Sequence, residues 1–328
     1  MDNILITGGA GYIGSHASKN LKQGGYNPIT FDNLVTGWRD AVQFGPFVKG
    51  DLLFQEDLDR VFANWNPIAV MHFASLSEVG NSCLNPEIYW RNNVVGSLNL
   101  LQSMVKANCQ YLVFSSTCSI YGENNEMVVN EDTPTNPINP YAASKRAIED
   151  MITGFVEVHG LKVIRFRYFN VAGSDPEGKI GEFHRPETHL IPTVLETIKA
   201  EKGSIEIFGD DYPTADGTCI RDYIHVEDIV QAHILGLENL LGGCRGGGVY
   251  NLGNGKGYSV REVINSCLKI TNKSVPVEVR NRRLGDVSSI TNGSNKATLE
   301  LGWKCQYPEI NKIVKDAWNW AKYGSYKQ

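Results

Sequence analysis

The sequence predicts an α/β protein in which a doubly wound parallel sheet is joined to a second, smaller mixed α/β domain. Two observations support this: short β-branched or aromatic segments alternate with helical periodicity in the first half of the chain, and the alternation breaks down after about residue 170. We therefore expect one domain at residues 1–170, with a returning segment around 221–253, and a partly interleaved second domain at 171–328.

The elements of the first domain follow from local patterns. Strands are predicted at residues 3–7, 28–32, 68–73, 111–115 and 162–168, and helices at residues 12–23, 92–108 and 141–159. Ile13, Ala17 and Leu21 give the first helix an apolar stripe, which Gly24 ends. A later segment, residues 248–253, has the pattern of a buried strand and predicts that the chain returns to the first sheet.

Composition excludes several classes of partner. The 328 residues carry a net charge of -5 with 20% charged residues, so neither a nucleic acid nor an anionic membrane is expected as a partner. The chain has no apolar segment long enough to span a membrane and a strand begins at Asn3, which predicts a cytoplasmic protein. Seven cysteines without a Cys-x-x-Cys pair argue against a disulfide framework and a zinc site, so no metal is predicted.

A glycine-rich turn, Gly-Gly-Ala-Gly-Tyr-Ile-Gly at residues 8–14, joins the first strand to the first helix. Gly8, Gly11 and Gly14 let backbone N–H groups approach a pyrophosphate, with Tyr12 and Ile13 opening the helix, as in a Rossmann-type dinucleotide site. Asp32 ends the second strand, where a carboxylate binds an adenosine ribose hydroxyl and repels a 2′-phosphate. The pattern predicts NAD as cofactor; the alternative is a structural turn with an unrelated acid.

Three further segments are compatible with a bound dinucleotide. Asp51 and Leu52 follow a possible strand and can meet the adenine, while Phe73 and Ala74, at another strand end, can line the pyrophosphate. Asn92 can reach a ribose. Each of these segments is equally compatible with a structural role.

The segment Asn-Pro-Tyr-Ala-Ala-Ser-Lys at residues 139–145 places a phenol and an ammonium four residues apart where a helix should begin. Both side chains then share one face, and the helix dipole and the Lys145 charge are expected to lower the pKa of Tyr141 towards neutrality. A surface helix that happens to carry both residues is the alternative. Thr117, at the end of a strand, can orient a sugar hydroxyl whose proton Tyr141 takes while the carbon loses hydride to NAD, and Lys145 can hold the nicotinamide ribose.

These motifs resemble those of the extended short-chain dehydrogenase/reductases, and more narrowly those of the UDP-glucose 4-epimerase family. The similarity runs almost from end to end and includes residues 7–16, 32–34, 114–117, 121–122, 139–145, 167–173, 208–214, 221–226 and 283–286. It implies inversion at C4 of UDP-glucose and UDP-galactose through a 4-keto sugar, without net redox. It also implies a homodimer formed by the helix at 92–108 and the one after Tyr141.

The resemblance also implies further site residues. Those expected to bind the UDP-sugar are Thr117, Asn170, His189, Leu190, Phe208, Arg221, Arg283 and Asp286, and those expected to join the cofactor site are Asn33, Ser115, Tyr141, Lys145 and Tyr168. Arginine suits the diphosphate because its guanidinium binds oxygens in pairs.

Three positions depart from the family pattern or bear on sugar scope. Ser77 stands where many members have lysine, and His189 where many have asparagine. Ile290 occupies the position that in the family helps decide whether N-acetylated sugars enter.

Two rival functions remain. A nucleotide-sugar 4,6-dehydratase would need carboxyl groups just after the catalytic threonine, where this chain has Cys118 and Ser119. A non-catalytic NAD-binding protein would be expected to lack Thr117, Tyr141 or Lys145, and all three are present.

Overall fold

The computed structural model describes residues 1–123, 128–243, 247–283 and 286–327. In this part of the chain the strands are β1 (Asn3–Thr7), β2 (Asn27–Asp32), β3 (Phe47–Lys49), β4 (Ala69–His72), β5 (Tyr111–Thr117), β6 (Val128–Val129), β7 (Lys162–Tyr168), β8 (Asn170–Ala172), β9 (Ile205–Phe208), β10 (Ile220–His225), β11 (Val249–Leu252), β12 (Gly257–Ser259), β13 (Val277–Arg280) and β14 (Ser289–Asn292). The α-helices are α1 (Tyr12–Gln23), α2 (Gln55–Trp65), α3 (Val79–Leu84), α4 (Pro86–Tyr89), α5 (Gly96–Lys106), α6 (Pro140–His159), α7 (Leu190–Ala200), α8 (Val226–Leu241), α9 (Val260–Thr271), α10 (Lys296–Leu301) and α11 (Ile310–Tyr323). Short 3-10 helices cover Arg39–Ala41 and Cys118–Tyr121, and a π-helix covers Trp90–Val95.

The large sheet has seven parallel strands in the order β11-β7-β5-β4-β1-β2-β3. From β1 the chain builds outward through β2 and β3, then crosses back to β4 and continues on the other side. The order therefore reverses between β1 and β4, where open α/β sheets bind ligands beyond the carboxyl ends of their strands. The predicted doubly wound parallel sheet is confirmed.

Helices cover both faces of this sheet because side chains alternate along each strand. Along β1, Ile4 and Ile6 belong to a core that includes side chains of α1 and α8, while Leu5 faces a core that includes side chains of α2, α5 and α6. Ala17 and Leu21, predicted to form the apolar stripe of α1, are fully buried in the first of these cores.

The rest of the chain forms a smaller assembly around α7, α9 and α11, whose core includes Val194, Val263 and Ile313. Its sheet runs β12-β10-β14-β6, with β8 added against β10, and β9 pairs with β13 in a separate two-stranded sheet. The strand β12 is antiparallel to β10 and the other pairings are parallel. This is the mixed α/β character that the sequence predicts for the second half.

Two details differ from the sequence prediction. The helix expected at residues 92–108 begins as the π-helix Trp90–Val95 and only then becomes α5. The helix α2 was not predicted, whereas β3 is the possible strand expected before Asp51. Among the described residues, no helix is long and apolar enough to cross a membrane.

Candidate active site

The glycine-rich turn lies between β1 and α1, at the carboxyl end of the large sheet. Gly8 has a φ of +71°, and a Cβ there would lie 2.6 Å from the backbone nitrogen of Ala74. A Cβ on Gly14 would lie 2.3 Å from the Gly8 carbonyl oxygen. Backbone thus packs directly on backbone, and no side chain caps the N-terminus of α1 at Gly11. A positively polarised helix end is left open to an anion.

The first residues of α1 join this turn to the smaller assembly. The hydroxyl of Tyr12 donates a hydrogen bond to the carbonyl oxygen of Gly173 at 2.6 Å, just after β8. Ile13 is partly buried against the core shared by α1 and α8. Tyr12 thereby fixes the turn relative to the second half of the chain.

At the end of β2, the carboxylate of Asp32 accepts hydrogen bonds from the backbone N–H groups of Ala10 at 3.0 Å and Leu34 at 2.8 Å. Burial raises the pKa of Asp32, although both hydrogen bonds oppose this. Asn33 donates to the Asp51 carboxylate at 3.0 Å, so these two predicted cofactor residues contact each other.

The other predicted cofactor residues lie at or near strand ends. Phe73 and Ala74 follow β4 directly, and both backbone N–H groups donate to the last carbonyl of β1 at 3.0 Å. Asn92 lies in the π-helix and donates to Asn93 at 3.0 Å. Leu52 is 6% exposed and belongs to a hydrophobic core, so its side chain has a packing role in this structure.

Hydroxyl groups meet at the carboxyl end of β5. The Ser115 hydroxyl is hydrogen-bonded to the phenol of Tyr168 on the neighbouring strand β7. Thr117 is buried, and its Oγ1 accepts a hydrogen bond from the backbone of Ser119 at 3.2 Å. Its hydroxyl is also near enough to lower the pKa of the Tyr141 phenol, so the two groups that the sequence assigns to the reacting hydroxyl are neighbours.

The start of α6 places Tyr141 and Lys145. Asn139 caps the helix by accepting from the Ala142 backbone at 2.9 Å, and Pro140 occupies the first turn. Lys145 lies one turn further on, is 2% exposed, and its Nζ donates to the Ser115 carbonyl oxygen at 2.9 Å. The local structure predicted for residues 139–145 is confirmed.

The pKa of the phenol differs from the sequence expectation. Burial raises the pKa of Tyr141 to about 12, and the neighbouring Thr117 hydroxyl only partly opposes this. Burial lowers the pKa of Lys145 to about 7, against the opposing charge of Glu149. The expectation assumed that the lysine charge would dominate; in the structure its Nζ bonds to Ser115 and desolvation is the larger effect.

On the substrate side, four predicted residues form two contacting pairs. An Nη atom of Arg221, on β10, lies 3.4 Å from the Asp286 carboxylate. The guanidinium of Arg283 lies 3.8 Å from the centre of the Phe208 ring, at the end of β9. Residues 284 and 285 of this motif lie outside the described part of the chain.

Ile290 connects this group to the reaction centre. It pairs with Arg221 between β14 and β10, and it is buried in a small cluster with Cys118 and Phe169. Cys118 directly follows Thr117. One apolar cluster therefore borders both Arg221 and the segment that carries Thr117.

The remaining predicted substrate residues are dispersed. Asn170 is exposed at the start of β8, and Leu190 begins α7 packed against the smaller core. His189 precedes α7, and its Nδ1 lies 2.5 Å from the Glu182 carboxylate. Burial favours the neutral imidazole, but Glu182 and Glu187 outweigh it and raise the pKa of His189 to about 9. About half of this side chain is exposed, so solvent screens the pair.

Two supporting groups were not predicted. Asn93 is buried and bonds both the backbone of Leu76 and the hydroxyl of Ser144, which joins the loop after β4 to α6. Glu149 and Arg167 form a buried ion pair of 2.6 Å beneath β5. In the sequence, only their places next to predicted site residues could have indicated them.

A family model, a curated relative and two solved structures each match most of this chain. The model of the NAD dependent epimerase/dehydratase family matches residues 4–253. The UDP-glucose 4-epimerase of Halalkalibacterium halodurans is 46% identical, over 97% of this chain and 95% of the relative. The crystal structure of UDP-glucose 4-epimerase from Brucella ovis in complex with NAD is 41% identical with a TM-score of 0.94, covering 99% of both chains. The Bifidobacterium longum enzyme, in complex with NAD+ and UDP, is 34% identical with a TM-score of 0.91, covering 98% of both chains.

Proposed function

The chain belongs to the NAD dependent epimerase/dehydratase family, and we propose that it interconverts UDP-glucose and UDP-galactose by inversion at C4. The observation that carries this proposal is that Thr117, at the carboxyl end of β5, lies next to the Tyr141 phenol. The pair lies on the side of the sheet where the glycine turn opens, so one crevice serves both cofactor and sugar.

The residues around the turn fit NAD. Gly8 and Gly14 have no room for a Cβ, the N-terminus of α1 carries no side-chain cap, and the Asp32 carboxylate ends β2. When bound, NAD supplies the hydride acceptor for the sugar C4 and the positive charge of an oxidised nicotinamide. We infer that Lys145 and Tyr168 hold its nicotinamide ribose side and that Asn33 and Asp51 lie on the adenosine side.

Tyr141 is the group proposed to take the proton of the C4 hydroxyl. Thr117 is proposed to hold that hydroxyl in line, because its own hydroxyl lies next to the phenol. A pKa of about 12 leaves little phenolate at neutral pH, so positive charge close to the phenol is needed to lower it. Lys145, one helical turn away, is the protein group placed to respond.

The UDP part is the proposed anchor. Arg221 and Arg283 carry guanidinium groups suited to phosphate oxygens, Asp286 suits a ribose hydroxyl, and Phe208 offers a ring to the uracil. Asn170, His189 and Leu190 are proposed to complete this site. With binding energy concentrated on the nucleotide, the sugar is free to turn over and receive hydride on its opposite face.

The alternative function, a nucleotide-sugar 4,6-dehydratase, needs an acidic side chain just after Thr117, and this chain has none there. Cys118 follows Thr117, and burial raises the pKa of its thiol to about 12. Ser119 is no stronger an acid. Neither side chain can protonate a leaving hydroxyl at neutral pH.

The test is to incubate the purified protein with UDP-galactose and no added reductant. UDP-glucose should accumulate until the two sugars reach equilibrium, with no change in mass. A product lighter by one water would indicate the dehydratase, and an unchanged substrate in the presence of protein-bound NAD would contradict epimerisation.

We also propose a two-unit organisation, with residues 1–170 and the returning segment around 221–253 binding NAD, and residues 171–328 binding UDP. The strand β11 at the edge of the large sheet supports the returning segment.

A homodimer is proposed because apolar side chains are exposed on α4, the π-helix and α6, among them Ile88, Val95 and Val158. A cytoplasmic location is proposed because the described cysteines are free.

A further inference from the structure

Four side chains of one loop converge in front of α7. The Oε1 atom of Glu182 lies 2.5 Å from Nδ1 of His189 and 3.6 Å from Nδ1 of His184. Glu187 lies 3.3 Å from Nδ1 of His184 through Oε2 and 3.8 Å from Nδ1 of His189 through Oε1. One nitrogen or oxygen atom from each of the four residues lies within 4.8 Å of all the others.

The two carboxylates form the fixed inner side of this cluster. The side chains of Glu182 and Glu187 are 5% and 6% exposed, whereas those of His184 and His189 are 28% and 51% exposed. Glu187 accepts from the backbone N–H groups of Thr188 at 2.8 Å and His189 at 2.9 Å. The indole of Trp320 donates to the Glu182 carbonyl oxygen at 2.8 Å. Backbone N–H groups thus orient the Glu187 carboxylate, Trp320 holds the backbone of Glu182, and the imidazoles lie on the solvent side, where an ion can enter.

The spacing and charge suit a tetrahedral divalent ion. Zinc bonds of about 2.0–2.2 Å to nitrogen and oxygen place neighbouring ligand atoms about 3.3–3.6 Å apart. The four nitrogen–oxygen distances of 2.5, 3.3, 3.6 and 3.8 Å lie on both sides of that range, so small side-chain movements suffice. Two carboxylates and two neutral imidazoles also balance a charge of +2. A nitrogen and oxygen donor set favours zinc over magnesium or calcium.

We propose that Glu182, His184, Glu187 and His189 bind one zinc ion, which fixes the loop in front of α7. The sequence analysis predicted no metal from the cysteine pattern, and the proposed site departs from that prediction because it uses no thiolate. In this arrangement the metal takes Nδ1 of His189, and the Nε2–H of the same ring stays available to donate to the substrate in place of an amide. The competing interpretation is two histidine–glutamate ion pairs without metal. The proposal does not depend on the sugar reaction.

The test uses full-length protein that has been treated with a chelator and dialysed. Titration with zinc chloride, followed by calorimetry and elemental analysis, should give one ion per chain and a higher unfolding temperature. Co²⁺ in place of zinc should give the visible absorption of a tetrahedral site. Glu187→Gln and His184→Ala should each weaken zinc binding at least about tenfold. The matched control is His159→Ala, an exposed histidine at the end of α6, which should leave binding unchanged.

Circular dichroism of the metal-free variants separates loss of a ligand from loss of the fold. A folded Glu187→Gln protein that binds zinc as tightly as the parent would overturn the proposal, as would a parent protein that takes up only substoichiometric zinc. A Co²⁺ spectrum typical of octahedral coordination would also contradict the proposed donor set.

Discussion

At the scale of single residues, Tyr141 and Lys145 show how burial and function oppose each other. A pKa of about 12 for the phenol and about 7 for the amine means that burial keeps the phenol neutral near pH 7 and leaves the amine protonated in only part of the molecules. Moving one proton from Tyr141 to Lys145 would create a phenolate and an ammonium on the same helical face. A positively charged ligand and a sugar hydroxyl on Thr117 both favour the phenolate. On the proposed mechanism, we therefore expect the phenolate to form in the complex with NAD and sugar and to be scarce in the free protein.

Replacement of Tyr141 by phenylalanine should remove the proton acceptor and leave the packing of α6 intact. We expect kcat to fall by about 10²–10⁴-fold, with UDP affinity unchanged. Steady-state turnover of UDP-galactose and calorimetry with UDP provide the measurements. Tyr323→Phe is the matched control, because that ring is 82% exposed on α11 and should not affect turnover. Near-normal turnover in Tyr141→Phe would exclude this residue as the base.

At the scale of elements, α6 is held against the sheet by a buried polar network. Glu149 lies one turn after Lys145 and accepts from the Ser116 hydroxyl on β5 at 2.5 Å. It also accepts two hydrogen bonds from Arg167 on β7, at 2.6 and 3.0 Å. One carboxylate thus joins the helix that carries Tyr141 to the strands that carry Thr117 and Tyr168.

Truncation of Glu149 to alanine would leave Arg167 buried without its counter-charge. The free energy of unfolding should fall by about 3–5 kcal/mol, measured by urea unfolding. The neighbouring Asp150 offers the control: it pairs with Arg146 on the surface with 63% of its side chain exposed, so Asp150→Ala should cost at most about 1 kcal/mol. Equal losses in the two variants would show that the buried network does not hold α6.

Elements could be predicted from sequence where the signal is local. The caps and the apolar periodicity of α1 and α6 depend on residues close together in the sequence. Both helices were therefore predicted to within one residue of their observed bounds. The π-helix before α5 was missed because its extra residue per turn is set by packing, with Asn93 bonding to Leu76 and Ser144.

The pKa of Tyr141 was misjudged because burial depends on the whole fold. The zinc cluster had a sequence signal, Glu-x-His-x-x-Glu-x-His at 182–189, which cysteine counting did not reveal.

At the scale of the whole molecule, the fold buries three histidines in their neutral form. Burial lowers the pKa of His16 and His233 to about 4 and that of His72 to about 3. The unfolded chain binds protons at these positions below about pH 6.5, whereas the folded chain does not. These groups therefore stabilise the fold fully above pH 6.5 and progressively less as the pH falls towards 4.

Acidification from pH 6 to pH 5 should accordingly destabilise the protein, by up to about 1.4 kcal/mol per pH unit for each of the three histidines. Asp222 opposes them: burial raises its pKa to about 6, so the folded chain takes up this proton first and gains stability as the pH falls. His189, whose pKa is raised to about 9, also opposes them, but weakly, because the unfolded chain is already largely protonated there below pH 6. The net effect of these groups is still unfavourable because the three buried histidines outweigh the two opposing groups. Urea unfolding over this range gives the slope.

The contribution of a single histidine to the pH dependence of stability can be measured at His233. Its ring packs against Phe73 and Phe166 at 4.9 and 4.8 Å between centres, and its Nε2 has no hydrogen-bond partner among the described residues. Phenylalanine at this position cannot bind a proton in either state, so His233→Phe should reduce the pH slope by about 1.4 kcal/mol per unit, whatever its effect on stability at pH 7. His159→Phe, at an exposed position, should leave the slope as in the parent. An unaltered slope in His233→Phe would mean that the buried ring is protonated in the fold as readily as in the unfolded chain, and that this histidine does not make the core sensitive to acid.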